Sequence, residues 1–217
     1  MAIALSELKV MHCGVLEYQE AWQLQRSIHD RVADDTEANT LILVEHPSVF
    51  TAGRRTDSLE RPTDGTPVID VDRGGRITWH GPGQLVGYPI IKLAKRNEVV
   101  GFVRQLEEAL IKTIAEFGLS GTQISGKTGV WLKDERGERK IAAIGVRVAK
   151  GVTMHGFALN VCPDLSFFDR IVPCGMPEAI TTSMQQELGR PITIAEVTPV
   201  LEKYMLNSLS QVASSSK

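Results

Sequence analysis

Cys174 stands in the run Ile171-Val172-Pro173-Cys174-Gly175-Met176-Pro177. Two prolines and a glycine make this a fixed loop rather than the interior of a strand or helix. A thiol on such a loop has the parts for nucleophilic acyl chemistry. The sulfur can attack a carbonyl, and the N–H of Gly175, unshielded by a side chain, can point at an oxyanion. The alternative for any lone cysteine is an inert small hydrophobe. That alternative is kept for Cys13, between His12 and Gly14, and it suits Cys162, beside Val161 in an apolar segment.

A nucleophilic cysteine needs a nearby cation or imidazole to be a thiolate. Lys140 is the candidate cation, where the polar run 134–139 (DERGER) gives way to Ile141-Ala142-Ala143-Ile144-Gly145. Two readings stay open for it: a lysine pointing inward, and a solvated charge at a strand end, the commoner fate of lysine. His80 and His155 are each followed by glycine. Each has the chemistry to donate to a carbonyl oxygen or to act as acid or base, and each is equally readable as a histidine satisfied by ordinary hydrogen bonds. No HxxxH or CxxC spacing points to a metal, and no GxxxxGK[ST] points to a P-loop.

The chain is organised around residues 73–89, RGGRITWHGPGQLVGYP. Its glycines let the backbone approach a ligand closely. Gly81-Pro82-Gly83 predicts a rigid turn, and residues 86–91 a buried strand. Arg73-Gly74-Gly75 alone is a weak ligand-loop signal.

The flanking elements follow from periodicity. Residues 8–11 predict a short strand, 18–33 a helix with Ala21, Leu24, Ile28 and Val32 on one face, and 40–45 (TLILVE) a buried strand ended by Pro47. Residues 48–67 read as an exposed loop and 68–71 as a strand. Val99, Phe102, Val103, Leu106, Leu110, Ile114 and Phe117 predict a long helix stopped by Gly118. Residues 130–133, 141–148 and 152–161 predict strands, the last two a hairpin around Lys150-Gly151. Leu201, Tyr204, Met205, Leu209 and Val212 predict a final helix, with Thr198 as cap and Pro199 at its first position. Residues 213–217 read as a frayed tail. This irregular alternation predicts an α+β fold: a single domain spanning residues 1–217, with a mixed or antiparallel sheet.

The 217 residues suffice for a self-supporting core. A hydrophobic fraction of 42% and a net charge of −2 give no reason to expect nucleic acid or an acidic membrane as partner. No apolar run reaches the length of a membrane span, and no signal peptide is evident. Three cysteines predict a reducing compartment, the cytoplasm, rather than a disulfide framework.

Four segments together resemble the lipoyl(octanoyl) transferase family: residues 73–89, 140–148 (KIAAIGVRV), 153–161 (TMHGFALNV) and 172–175 (VPCG). The resemblance implies a fold of mixed β-sheets with flanking helices, similar to biotin and lipoate protein ligase catalytic domains. It implies transfer of an octanoyl group from acyl carrier protein to a lysine of lipoyl domains, those of 2-oxoacid dehydrogenase complexes and the glycine cleavage H protein. A cysteine thioester lies between the two steps, with no cofactor, metal or ATP. By motif, Cys174 matches the nucleophile and Lys140 its activator. Arg73, Gly74, Gly75, Arg76, Ile77, Thr78, Trp79, His80, Ala143, Ile144, Gly145, Gly156, Phe157 and Ala158 match acyl-binding segments. Ile144, Phe157 and Leu159 are apolar candidates to shape an acyl tunnel. Arg76, Trp79 and Met154 depart from the residues commonest in the family. Two other functions compete: an ATP-dependent lipoate or biotin ligase, which leaves Cys174 idle, and a non-catalytic protein that binds acyl carrier or lipoyl domains. Arg54, Arg55, Lys92, Lys95 and Arg96 are candidates for docking an acidic carrier.

Overall fold

The computed structural model describes residues 8–95, 98–171 and 180–213. In chain order these form strands β1 (Lys9–Val15), β2 (Thr40–Glu45), β3 (Val49–Ala52), β4 (Val68–Asp70), β5 (Thr78–His80), β6 (Gln84–Ile90), β7 (Gly121–Ile124), β8 (Lys127–Asp134), β9 (Gly137–Ala149), β10 (Val152–Asn160) and β11 (Ile180–Thr181). The helices are α1 (Tyr18–Ala33), α2 (Val99–Ala115), α3 (Met184–Leu188) and α4 (Ile194–Val212). The larger sheet runs β1-β2-β6-β10-β9-β8-β7, with β11 also on β9, and β4-β3-β5 form a smaller one. β1–β2, β9–β11 and β3–β4 are parallel pairs and the others antiparallel, so both sheets are mixed as expected. None of the described helices is long and apolar enough to cross a membrane.

β2 is a continuous apolar run because both faces of the large sheet are covered. Its side chains alternate between two cores. Leu41 and Leu43 join Phe102, Leu106 and Leu110 of α2 and Leu201, Met205 and Leu209 of α4. Ile42 and Val44 join Ala21, Ile28 and Val32 of α1 on the opposite face. β6 splits the same way, with Leu85 on the first side and Val86, Tyr88 and Ile90 on the second. Each such buried side chain contributes about 1.5–3 kcal/mol through lost apolar contact with water. A third cluster, Phe50, Ile77, Trp79, Phe168 and Ile171, lies under the small sheet.

β9 has 13 residues, and different partners cover its length. β8 pairs with it from Gly137 to Ala142, and β10 from Ala142 to Ala149. β11 pairs with Arg139 and Lys140. Beyond the end of β8, the Gly74 N–H donates to the Val146 carbonyl at 2.9 Å, so the glycine-rich loop takes over the vacated edge. The hairpin from β9 to β10 turns at Lys150 and Gly151, with φ of 52° and 78°, as a type I′ turn requires.

Several expectations need correction. Residues 48–67 are not all loop: Val49-Phe50-Thr51-Ala52 make β3, buried in the small sheet and hidden in sequence by the polar stretch after it. The polar turn before β9 is shorter than residues 134–139. Gly137 already belongs to β9, and Arg139 is buried, bonded to Asp134 and Glu187. α3 is an element that periodicity does not reveal. The last helix starts five residues before Pro199, at Ile194. Thr193 caps it: the Glu196 N–H donates to Thr193 Oγ1 and the Thr193 N–H donates to Glu196 Oε2, a reciprocal capping box. Thr198 lies inside the helix, its hydroxyl donating to the Ile194 carbonyl. At the tail, Ala213 is bridged to Leu93, and residues 214–217 lie outside the described residues.

The reassigned cap makes a prediction. Thr193→Ala should destabilise the protein by about 1 kcal/mol. In a domain of this size that lowers the thermal midpoint by about 2–4 °C. Calorimetry should show a smaller loss for Thr198→Ala; the reverse order would restore Thr198 as the cap.

Candidate active site

A cavity of about 540 Å³ opens where the glycine-rich loop crosses β9 and β10. Arg73, Gly74, Gly75, Arg76, Ile77, Thr78 and His80 line one wall. Lys140, Ala143, Ile144 and Gly145 of β9 and Gly156, Phe157 and Ala158 of β10 line another. Val99 and Val103 of α2, with the hairpin residues 126–128, close a third side. Three segments far apart in sequence and sharing one family resemblance thus meet at one cavity.

Trp79 is the exception. Strand alternation in β5 sends Thr78 and His80 to the cavity and Trp79 to the other side. Its indole stacks on Phe167 at 4.8 Å and donates to Ser48 Oγ at 2.9 Å. It belongs to the apolar cluster under the small sheet. Its indole also fills the space beside Gly81, where an added Cβ would lie 2.0 Å from the ring. Among the apolar candidates for an acyl tunnel, Leu159 likewise lies in the core, while Ile144 and Phe157 line the cavity.

Arg73 shapes the loop. Its guanidinium is buried and donates to the carbonyls of Gly74 (3.1 Å), Arg76 (2.8 Å) and Thr51 (2.9 Å), and to Thr51 Oγ1 (3.0 Å). These bonds curl the loop around the side chain and tie it to β3. Arg76 reaches outward to the buried carboxylate of Glu60. At Gly53 an added Cβ would stand 2.6 Å from the Gly75 carbonyl oxygen and 2.7 Å from the guanidinium. Loop and β3 can approach this closely only because that position has no side chain.

Lys140 is buried, 9% exposed, which corrects the reading of a solvated strand end. The cause is topological: β8 and β11 flank β9 at this point, with Trp131 and Thr181 as register partners of Lys140. Its Nζ sits 5.1 Å from the Trp131 ring centroid, within cation–π range. The side chain runs past Gly129, whose φ is +116° and whose added Cβ would lie 2.8 Å from Lys140 Cε. The Gly129 N–H donates to Glu107 Oε1 at 2.9 Å, and Glu107, fully buried on α2, also pairs with Arg104. Cys174 lies outside the described residues. The two other cysteines are poor nucleophiles. Burial pushes the Cys13 thiol up, and burial followed by the Glu45 charge does the same for Cys162.

Both histidines are buried and neutral at working pH. Burial, then the neighbouring His46, pushes His80 down to about 3, against the opposing pull of its Gln84 hydrogen bond. Burial pushes His155 down to about 4, opposed by its hydrogen bond to Asp72 at 2.7 Å. Burial raises the Asp72 carboxyl, but the His155 hydrogen bond and the charges of His155 and Arg147 outweigh it and hold the group below the usual range. His155 has φ of +57°, an unusual conformation for a residue with a side chain inside a strand. Its backbone N–H is held by Gln25 Oε1 of α1 at 2.9 Å.

Sequence reasoning missed the aromatic residues on this wall. Tyr18 stacks on His80 with centroids 5.8 Å apart, and His46 sits edge-on at 5.9 Å. The Leu16 carbonyl accepts from His46 Nδ1, so His46 Nε2 accepts from the Tyr88 hydroxyl at 2.7 Å. Burial pushes the Tyr18 phenol up to about 12 and raises Tyr88 well above its ordinary value, so both stay neutral. Tyr18 and Tyr88 are both buried in the core. Only the docking of α1 across β6 and β10 shows that the same rings border a cavity.

Of the basic candidates for docking, Arg54 and Arg55 are exposed, and Arg55 lines the cavity. Lys92 is half-buried, bonded to Asp35 and to the Ala33 carbonyl at the end of α1. Lys95 pairs with Glu98, and Arg96 lies outside the described residues.

Comparison with known proteins agrees with this architecture. The family model described as the lipoyl protein ligase A/B catalytic domain matches residues 17–206. The octanoyltransferase of Salinispora arenicola is 55% identical over 207 residues, covering 94% of this chain and 97% of the relative. The octanoyltransferase of Mycobacterium tuberculosis is 57% identical over 194 residues, covering 89% and 83%. In fold, the chain is similar to a structure of a bi-partite lipoate protein ligase and its E2 lipoyl domain from Thermoplasma acidophilum. That match has a TM-score of 0.70 at 15% identity and covers 94% of this chain and 84% of that one. The chain is an acyltransferase, and it belongs to the lipoyl protein ligase A/B catalytic domain family.

Proposed function

We propose that this enzyme transfers an octanoyl group from acyl carrier protein to a lysine of lipoyl domains in the cytoplasm, through a thioester on Cys174. The acceptors are the lipoyl domains of 2-oxoacid dehydrogenase complexes and the glycine cleavage H protein. The observation that carries the reading is the burial of Lys140 beside a cavity with an apolar floor of Ile144, Phe157, Val99 and Val103. Its volume lies in the range of small-molecule sites and accommodates a medium-length acyl chain. The names of close relatives supply octanoyl as the group. Thr181, seven positions after Cys174 in sequence, is the register partner of Lys140.

The chemistry runs in two balanced steps. In the first, the Cys174 sulfur attacks the carrier thioester; a new C–S bond forms, the old one breaks, and the carrier leaves as a thiol. A neighbouring ammonium favours the attacking thiolate by opposite charge. In the second step the acceptor amine attacks the enzyme thioester. The C–N bond forms, the C–S bond breaks, and the amine's proton ends on the Cys174 thiol. Exchange between thioesters needs no ATP, and amide formation from a thioester is downhill.

Intact-mass spectrometry tests the reading. Octanoyl-acyl carrier protein alone, without ATP, should load one octanoyl group, which hydroxylamine releases and apo lipoyl domain discharges as an amide. Cys174→Ala should do neither, while Cys13→Ala and Cys162→Ala should do both. A requirement for ATP with no adduct would favour a ligase, and tight carrier binding without transfer a binding protein.

The role of Lys140 has its own measurement. Lys140→Met should raise the Cys174 pKa and slow its alkylation by iodoacetamide at neutral pH, by about tenfold if that pKa rises by about one. An unchanged rate–pH profile in the folded variant removes Lys140 from thiol activation.

Arg54 and Arg55 are the proposed docking residues for the acidic carrier, since both are exposed and Arg55 lines the cavity. Reversing both to Glu should slow transfer from the carrier by about tenfold or more and flatten its salt dependence. An equal loss with a small octanoyl thioester would make them ordinary surface.

A further inference from the structure

His80 stands at the end of a buried row of amides. Its Nδ1 lies 2.7 Å from Gln84 Oε1. Gln84 Nε2 lies 2.9 Å from Asn160 Oδ1 and 3.3 Å from the Trp79 carbonyl oxygen. Asn160 Nδ2 lies 2.9 Å from the Thr182 carbonyl oxygen. His80, Gln84 and Asn160 are 7%, 1% and 4% exposed.

The direction of this row is set from its far end. A backbone carbonyl only accepts, so Asn160 must turn its NH₂ to Thr182. Its oxygen then faces Gln84, which must donate through Nε2. The Trp79 carbonyl independently demands the same of Gln84. Gln84 Oε1 is left for His80, so His80 Nδ1 must carry the proton. Flipping either amide would set oxygen against oxygen and leave buried donors unsatisfied, which is costly in a buried site. In a neutral ring with Nδ1–H, Nε2 holds a lone pair. That nitrogen makes no hydrogen bond among the described residues, and the ring lines the cavity.

We propose that Asn160 and Gln84 are positioning residues that lock His80 as the Nδ1–H tautomer, so that its Nε2 accepts an N–H from the acceptor lysine's amine and aims the amine's lone pair at the thioester carbonyl. The second half of this statement rests on the transfer reading above; the tautomer does not. A bare Nε2 cannot donate to an oxyanion. Tyr18 of α1 and His46 after β2 pack on the ring, and the other titratable groups that act on it are Arg73 of the loop and His155 of β10, none of them a carboxylate that would hold an imidazolium. His80 therefore orients the amine without keeping its proton.

Proton–nitrogen correlation spectra of protein labelled with ¹⁵N-histidine test the tautomer directly. From roughly pH 5 to 8, the window in which an ordinary histidine titrates, His80 should show a protonated Nδ1 and an unprotonated Nε2, and should not titrate. Its signals are identified by their loss in His80→Phe. An Nε2–H tautomer or an imidazolium at neutral pH overturns the proposal, and this measurement needs no folded positioning variant. Gln84→Glu adds a carboxylate partner, which should bring the His80 titration into that window with both nitrogens protonated below it. Discharge of preformed acyl-enzyme by apo lipoyl domain should then slow at least about tenfold below the new pKa and recover above it. A purely structural role would lower the rate equally at every pH. Discharge at the wild-type rate throughout overturns the amine-holding role. If wild-type protein forms no acyl-enzyme, that role falls with the transfer reading, while the spectrum still judges the tautomer.

Discussion

The site depends on one buried cation. Arg73 places its guanidinium inside the loop that carries it and donates to three backbone carbonyls, one of them on β3. Removing a guanidinium from water is costly unless its donors are satisfied. Here satisfaction and shape go together, because the bonds to the Gly74 and Arg76 carbonyls curl residues 73–76 around the guanidinium. The curled loop presents Gly74 to the free edge of β9, and the small sheet comes with it through Thr51. The cavity is the space this arrangement leaves between loop and sheet.

A second constraint acts at Lys140. A lysine in the middle of a sheet needs a channel for its stem, and Gly129 provides one by having no Cβ. A glycine with φ of +116° inside β8 interrupts the ladder, and β8 shifts register against β9 at the next residue. Glu107 holds the N–H that this irregularity exposes. Glu107 of α2 and Gly129 of β8 therefore both serve one side chain, Lys140 of β9. The polar row from His80 through Gln84 and Asn160 to Thr182 follows the same logic. Burial makes each unsatisfied group costly, so the bonds from His80 Nδ1 to the Thr182 carbonyl run in a single direction.

Much of the fold is legible because periodicity and punctuation agree in those segments. α1 and α2 show an apolar face, TLILVE reads as a strand covered on both sides, and Lys150-Gly151 reads as a hairpin turn. The misreadings occur where local signals conflict. β3 is four residues beside a long polar loop. Pro199 suggests the start of α4 because proline is a strong signal for a first turn, yet the capping box is closed upstream of it by Thr193 and Glu196. Pro199 forgoes the helical bond to the Ala195 carbonyl, and both residues lie on the exposed side of α4, where solvent can satisfy that oxygen.

By itself the sequence determined the chemistry available: a loop cysteine, a lysine at the head of an apolar run, two histidines followed by glycine, and motifs specific enough to point to the family. It also determined which segments form the wall, because glycine density reports where backbones must pass closely. It could not determine which way each residue faces or what state it is in. Trp79 and His80 are neighbours in one motif, yet one packs a core and the other borders the cavity, since a strand sends alternate side chains to opposite sides. Lys140 reads as a solvated charge until β8 and β11 are seen to enclose it. The proton on His80 is fixed by a carbonyl 102 residues away, at Thr182. Burial and hydrogen-bond direction are properties of neighbours, and only the tertiary structure decides which neighbours a residue has.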